Sequence, residues 1–170
     1  MRIPVLDILH APQQKLVVQT ELHLTHLCGA IDQLLHVDPV QVAVELRQVG
    51  EVYQLQGEGK TVVQLRCSRC LNAFPQEIRF PLHETLVERE LTEEEEKADV
   101  VKIEDRHVDL SALTEAALIL ALPYAPLCRA ECRGLCPRCG TDRNVRDCSC
   151  DTSPIDPRWS KLQDLMNNWH

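Results

Sequence analysis

Eight of the nine cysteines in this chain of 170 residues fall in close pairs. The pairs are Cys67-Ser-Arg-Cys70, Cys128-Arg-Ala-Glu-Cys132, Cys136-Pro-Arg-Cys139-Gly140 and Cys148-Ser-Cys150. A Cys-x-x-Cys turn aims two sulfurs at one point, and a second pair from elsewhere completes a tetrahedral zinc site. The eight residues make two such sites with none left over, and Cys28 stands alone. Cys136-Pro-Arg-Cys139-Gly140 carries the strongest signal, because proline restricts the turn and glycine lets backbone amides approach the sulfurs. Its natural partners are Cys148 and Cys150. The other site then takes Cys67, Cys70, Cys128 and Cys132. A swapped arrangement, joining Cys67 and Cys70 to Cys136 and Cys139, satisfies the same counting. The expected cofactor is one or two Zn2+ ions with a structural role, since four thiolates leave no open coordination position. The rival chemistry is thiol–disulfide exchange, but neither Cys-x-x-Cys pair sits at the helix N-terminus that would activate it.

Arginines accompany the sulfurs closely: Arg66, Arg69, Arg129, Arg133, Arg138, Arg143 and Arg146. They either offset thiolate charge or form a patch for phosphate, which guanidinium binds in a bidentate fork. The rest of the chain argues against general electrostatic affinity for nucleic acid. Net charge is −8, and zinc held by four thiolates makes it more negative still. Aromatic residues are only 4% of the chain, so stacking platforms for bases are scarce. The seven histidines lie outside any ligand spacing with the cysteine pairs, and no Walker-type, Rossmann or Ser/His/Asp pattern is present. No catalytic residue, small-molecule substrate or membrane contact is expected. The N-terminus lacks the apolar run of a signal peptide, which points to the cytoplasm, where cysteines stay reduced.

The elements that must position the sulfurs are mostly strands. Leu16, Val18, Thr20, Leu22 and Leu24 alternate with polar residues and predict a half-buried strand. The alternation resumes at Val40, Val42, Val44 and Leu46. It continues at Tyr53 and Leu55, then Thr61, Val63 and Leu65, then Ile78, Phe80 and Leu82. Turn residues at 49–51 and 57–60 divide this stretch into a meander of four strands, with the Cys67–Cys70 turn between the third and fourth. The charged residues 88–105 read as a solvated linker or flap. Asp109 caps a helix over 109–122, with Leu110, Leu113, Ala117 and Leu120 on its apolar stripe, ended by Pro123. Residues 124–150 contain almost nothing that builds a core, so they need metal to fold. Asp156-Pro157 starts a last helix carrying Trp159 and Trp169, aromatic residues of the kind that anchor partner contacts. The fold class is α+β: an antiparallel meander or partial barrel covered by a helix over residues 1–123. A zinc-stabilised segment and terminal helix, residues 124–170, pack on the same domain.

Taken in order, these motifs resemble the YceD family, whose members are described as large ribosomal RNA subunit accumulation proteins. The resemblance is carried by Cys67-Ser-Arg-Cys70-Leu71 after a strand, Ala121-Leu-Pro123, Cys128-x3-Cys132-Arg-Gly-Leu-Cys136-Pro-Arg-Cys139-Gly, Cys148-x-Cys150 and Asp156-Pro-Arg158. It departs at Asp142-Arg143-Asn144, where an apolar residue is expected before the asparagine. The resemblance implies a non-enzymatic ribosome biogenesis factor that supports synthesis, processing or accumulation of 23S rRNA. Its implied partners are precursor large-subunit rRNA, ribosomal proteins or both. Two other functions fit the residues. One is a protein-binding adaptor without RNA contact, using the acidic run and the Trp-bearing helix. The other is a thiol oxidoreductase.

Overall fold

The computed structural model describes residues 1–98 and 100–150. The predicted terminal helix, with Trp159 and Trp169, lies outside the described residues. In chain order the elements are β1 (Arg2–Pro4), α1 (Val5–His10), β2 (Lys15–Leu22), β3 (Leu34–Val37), β4 (Val40–Val49), β5 (Val52–Arg66), β6 (Ala73–Val87), α2 (Glu93–Lys97), β7 (Val101–Lys102), β8 (His107–Asp109) and α3 (Leu110–Ala121). The main sheet is open, in the order β2-β4-β5-β6-β7, with β3 also pairing with β5. All its pairings are antiparallel except β6 with β7. A second, two-stranded sheet joins β1 to β8. The fold is thus α+β and dominated by strands, as the alternation predicts. No helix among the described residues is long and apolar enough to cross a membrane.

One expectation fails at the centre of the sheet. Residues 57–60 are not a turn. They lie in the middle of β5, a single strand of 15 residues, so the meander of 40–87 has three long strands rather than four. Gly57 and Gly59 are there for close packing. A Cβ at Gly57 would sit 2.1 Å from the carbonyl oxygen of Ala43, and one at Gly59 would sit 2.3 Å from the ring of Phe80. Phe80 is the cross-strand partner of Gly59, so its ring covers the bare backbone there. The period of two runs through both glycines unbroken. Tyr53, Leu55, Thr61, Val63 and Leu65 are buried on one face, in phase with Gly57 and Gly59 between them.

Val40, Val42, Val44 and Leu46 of β4 and Ile78, Phe80, Leu82 and Leu86 of β6 complete that apolar face. Helix α3 packs on β6 and β1. Asp109 caps it, accepting hydrogen bonds from the amides of Ser111 and Ala112. The inward face is Leu110, Thr114 and Leu118, four residues apart, with Leu113 and Ala117 flanking it. Leu120 is 87% exposed and does not belong to the stripe. The angular step of a helix places it away from the face set by Leu110 and Leu118.

The acidic stretch is not a plain linker. Thr92 and Glu95 form a reciprocal capping box on α2, Arg89 pairs with Glu95 at 2.5 Å, and β7 pairs with the end of β6. Cys28 is half-buried against the main core.

Replacing Gly57 with alanine forces β4 and β5 apart where the new Cβ meets the backbone of Ala43 and Val44. The expected loss is about 3 kcal/mol of unfolding free energy, measured by chemical denaturation. A loss below about 1 kcal/mol would show that the strands separate without strain.

Candidate metal centres

The long β5–β6 hairpin ends in the loop 67–72, and that loop is a sulfur turn. The amide of Cys67 donates to the carbonyl of Asn72 at 2.9 Å, and the amide of Leu71 donates to the carbonyl of Cys67 at 3.0 Å. The second Cys-x-x-Cys turn repeats this pattern. The amide of Cys136 donates to Thr141 and that of Gly140 to Cys136, both at 2.8 Å. Leu71 (φ 62°) and Gly140 (φ 70°) both occupy the left-handed region. Glycine does so without strain. Leucine does so at a cost, and with its side chain 58% exposed, little burial offsets it.

The segment after α3 wraps around the hairpin tip. Ser68 donates its amide to the carbonyl of Pro126 (2.8 Å), Leu135 donates to Arg69 (3.0 Å), and the Arg69 guanidinium donates to the carbonyl of Cys132 (2.9 Å). This path carries Cys128 and Cys132 to the sulfurs of Cys67 and Cys70. Two tetrads result: Cys67, Cys70, Cys128 and Cys132, and separately Cys136, Cys139, Cys148 and Cys150. The swapped arrangement is not the one the fold brings together.

Within each tetrad the sulfurs lie within 4.8 Å of one another. Cys67 and Cys132 are 3.8 Å apart, and Cys70 and Cys128 are 3.7 Å apart. An ion bound tetrahedrally by sulfur at ~2.3 Å separates its ligands by about 3.8 Å. Each tetrad can therefore hold a metal ion, the first in a buried site and the second in a more open one.

The ionisation of the thiols differs within each tetrad. Burial opposes ionisation of Cys67, yet the amides of Cys128, Cys70 and Arg69 outweigh it and bring the thiol down to about 6. Burial pushes Cys70 up. It also pushes Cys128, hemmed in by the sulfurs of Cys70, Cys132 and Cys67, up to about 12. In the second tetrad, the hydroxyl and amide of Thr141 lower Cys139 to about 6, and the amides of Cys139 and Arg138 lower Cys136. Cys150 is driven up to about 12 by the sulfur of Cys139, then by burial. Cys148 is also raised: the amide of Cys150 favours its thiolate, but the Cys136 sulfur and burial prevail. Each tetrad thus sets thiols shifted down, Cys67 in the first and Cys136 and Cys139 in the second, beside thiols shifted up, Cys70 and Cys128 in the first and Cys148 and Cys150 in the second.

The arginines divide into two groups. Arg69 is tied to Cys132. Arg129 donates to Asn144 at 2.9 Å, and Arg133 pairs with Asp147 at 2.5 Å. Arg66, Arg138, Arg143 and Arg146 make no side-chain hydrogen bond or ion pair among the described residues. Sequence reasoning passed over the polar residues that fasten the tetrads. Asn144 donates from Nδ2 to the sulfur of Cys132 (3.4 Å) and to Asp142 (2.7 Å), and its Oδ1 accepts from the amide of Arg133 (2.8 Å). Asn72 donates to Asp142 at 3.1 Å. The available signal was position: Asn144 lies between two cysteine pairs, and Asn72 and Thr141 each fall five residues after the first cysteine of a turn.

A family model described as large ribosomal RNA subunit accumulation protein YceD matches residues 55–166. The chain belongs to the YceD family. The match takes in most of β5, all of β6 and α3, and all eight paired cysteines. Among relatives of this YceD-family chain, an uncharacterized protein of Mycobacterium bovis is 30% identical over 141 residues, covering 81% of this chain and 65% of the relative. An uncharacterized protein of Mycobacterium leprae is 30% identical over 133 residues, covering 75% of this chain and 59% of the relative. A chloroplastic protein of Arabidopsis thaliana named large ribosomal RNA subunit accumulation protein YCED homolog 1 is 24% identical over 156 residues, covering 75% of this chain and 48% of the relative. The chain thus spans between about half and two thirds of the length of these relatives. No solved structure matches it significantly.

Two outcomes are expected. Leu71→Gly relieves the left-handed strain and raises stability by about 0.5–1 kcal/mol; a lower melting temperature would show that the leucine side chain holds the turn. Metal uptake at neutral pH releases at least two protons per tetrad, from Cys70 and Cys128 and from Cys148 and Cys150, because their raised values keep them protonated beforehand. Metal affinity therefore falls as pH falls. An indicator dye in weak buffer reads the protons, and uptake without release would contradict the assignment.

Proposed function

We propose that this chain supports accumulation of the large-subunit ribosomal RNA by binding precursor rRNA through arginines on its sulfur-held segment. In this reading each tetrad holds one structural zinc ion. Four soft thiolates at tetrahedral spacing suit zinc, and full coordination leaves no site for catalysis, so the protein acts without being an enzyme. The family description and the printed name of the chloroplast relative support the rRNA role.

The observation that carries the reading is the set of uncommitted arginines. Arg138, Arg143 and Arg146 lie in the segment that carries the sulfurs, and Arg66 lies next to Cys67 at the end of β5. Arg66, Arg138 and Arg146 are exposed and Arg143 is half-buried. Their charge is not spent on intramolecular pairs among the described residues. On a chain of net charge −8, a local basic surface selects phosphate while the remainder repels it. Arg69, Arg129 and Arg133 serve the segment's own architecture and contribute less to the contact.

The double substitution Arg138→Glu/Arg146→Glu is expected to weaken binding to a large-subunit rRNA precursor by about tenfold or more and to flatten its salt dependence. Zinc content stays unchanged. Arg79→Glu serves as the control, since Arg79 lies on β6 and pairs with Glu77. Equal loss in the control, or no loss in the double variant, would contradict contact through this segment. If a basic ribosomal protein binds while naked RNA does not, the adaptor reading takes its place. Metal-free protein that reduces disulfides would favour thiol exchange.

A further inference from the structure

The two tetrads are not independent modules. Cys132 closes the first and Cys136 opens the second, and the short link between them is fixed from both sides. Leu135 donates its amide to Arg69, inside the first sulfur turn. Gly134 accepts from the amide of Arg143, inside the loop of the second tetrad, at 2.9 Å. Gly134 has φ +69°, and a Cβ there would meet the Arg69 carbonyl oxygen at 2.9 Å, so the link lies flat against the first turn.

Asn144 crosses between the sites. It belongs to the loop joining Cys139 to Cys148, so its position is set when the second tetrad closes. Its side chain nevertheless serves the first tetrad. Nδ2 donates to the sulfur of Cys132, and Oδ1 holds the amide of the residue that follows Cys132. A hydrogen bond from an amide to a ligand sulfur orients that sulfur toward the ion. Hydrogen-bond partners of this kind are worth about 10–100-fold in metal affinity.

From this arrangement we infer that the two sites load cooperatively and that Asn144 is the positioning residue that couples them. The inference rests on the reading that both tetrads hold zinc. Closing the second site places the Asn144 amide on Cys132 and tightens the first. By linkage, filling the first site tightens the second by the same factor. The chain therefore passes between metal-free and doubly loaded forms with little of the singly loaded form. The second sulfur turn, with Arg138, and the loop after it, with Arg143 and Arg146, become ordered together.

The test is zinc release from the reduced, full-length protein, followed with a competing chromophoric chelator. Wild type is expected to lose two ions in one step. Cys148→Ser/Cys150→Ser isolates the first tetrad and should show it 10–100-fold weaker than in wild type. Asn144→Ala keeps all eight sulfurs. Its release should split into two steps, with the first tetrad falling to the affinity it has in isolation. A merely structural role for Asn144 would lower affinity yet leave release in a single step. Single-step release in Asn144→Ala, or two-step release in wild type, would overturn the coupling while leaving zinc binding intact. Absence of zinc from wild type would instead remove the underlying assignment.

Discussion

Sulfur atoms held 3.7–3.8 Å apart cannot all carry negative charge unless a cation lies among them. The rest of the C-terminal architecture depends on this constraint. Residues 124–150 have little other means of folding. Tyr124 and Val145 are 98% and 82% exposed, and the residues the segment buries include Cys132 and Cys136 themselves. Leu127 packs beside the first tetrad but is only partly covered. Full burial of one leucine contributes about 2 kcal/mol, whereas a structural zinc site in a small peptide contributes on the order of 10 kcal/mol. A metal term of that size would exceed the apolar one several-fold, so in the proposed reading the geometry of this segment is the geometry of its sulfurs.

The sheet provides what the metal cannot, a rigid place to stand. β5 and β6 form a long paired ribbon whose far end is the first sulfur turn, and its inner face is anchored in the main core. The prolines of β6, Pro75 and Pro81, lie on a strand whose outer edge, among the described residues, pairs only at Leu86 and Val87. There a missing N–H costs no ladder bond and discourages pairing with another chain. One end of the molecule is thus held by apolar burial, and the other, in the proposed reading, by coordination. The tip of the hairpin, with its two sulfurs, joins them.

Much of this was legible in the sequence, for identifiable reasons. Period-two alternation located the strands because each has one face in the core, and Asp109 announced α3 through its capping chemistry. The cysteine spacings named all eight sulfurs. Other features were hidden. Gly57 and Gly59 resembled a turn because glycine serves both turns and close packing, and only the unbroken phase from Tyr53 to Leu65 separates the two. Leu120 was misplaced because the apolar residues of α3 outnumber its buried positions. The pairing of the tetrads depended on a chain path set by Pro126 and Arg69, which spacing does not encode. Asn144 was marked only by its position between two cysteine pairs, because its value comes from a contact with a residue of the other tetrad.

The most direct measure of the central claim is amide hydrogen exchange of the reduced full-length chain with zinc bound and after chelation. With metal, the amides of Cys67, Ser68, Leu135, Cys136 and Arg143, all hydrogen-bonded in the folded segment, are expected to be protected. Without metal they should exchange freely while Leu55, Val63 and Phe80 in the sheet stay protected. Equal protection of the sulfur segment in both states would contradict the account, because something other than coordination would then be holding it.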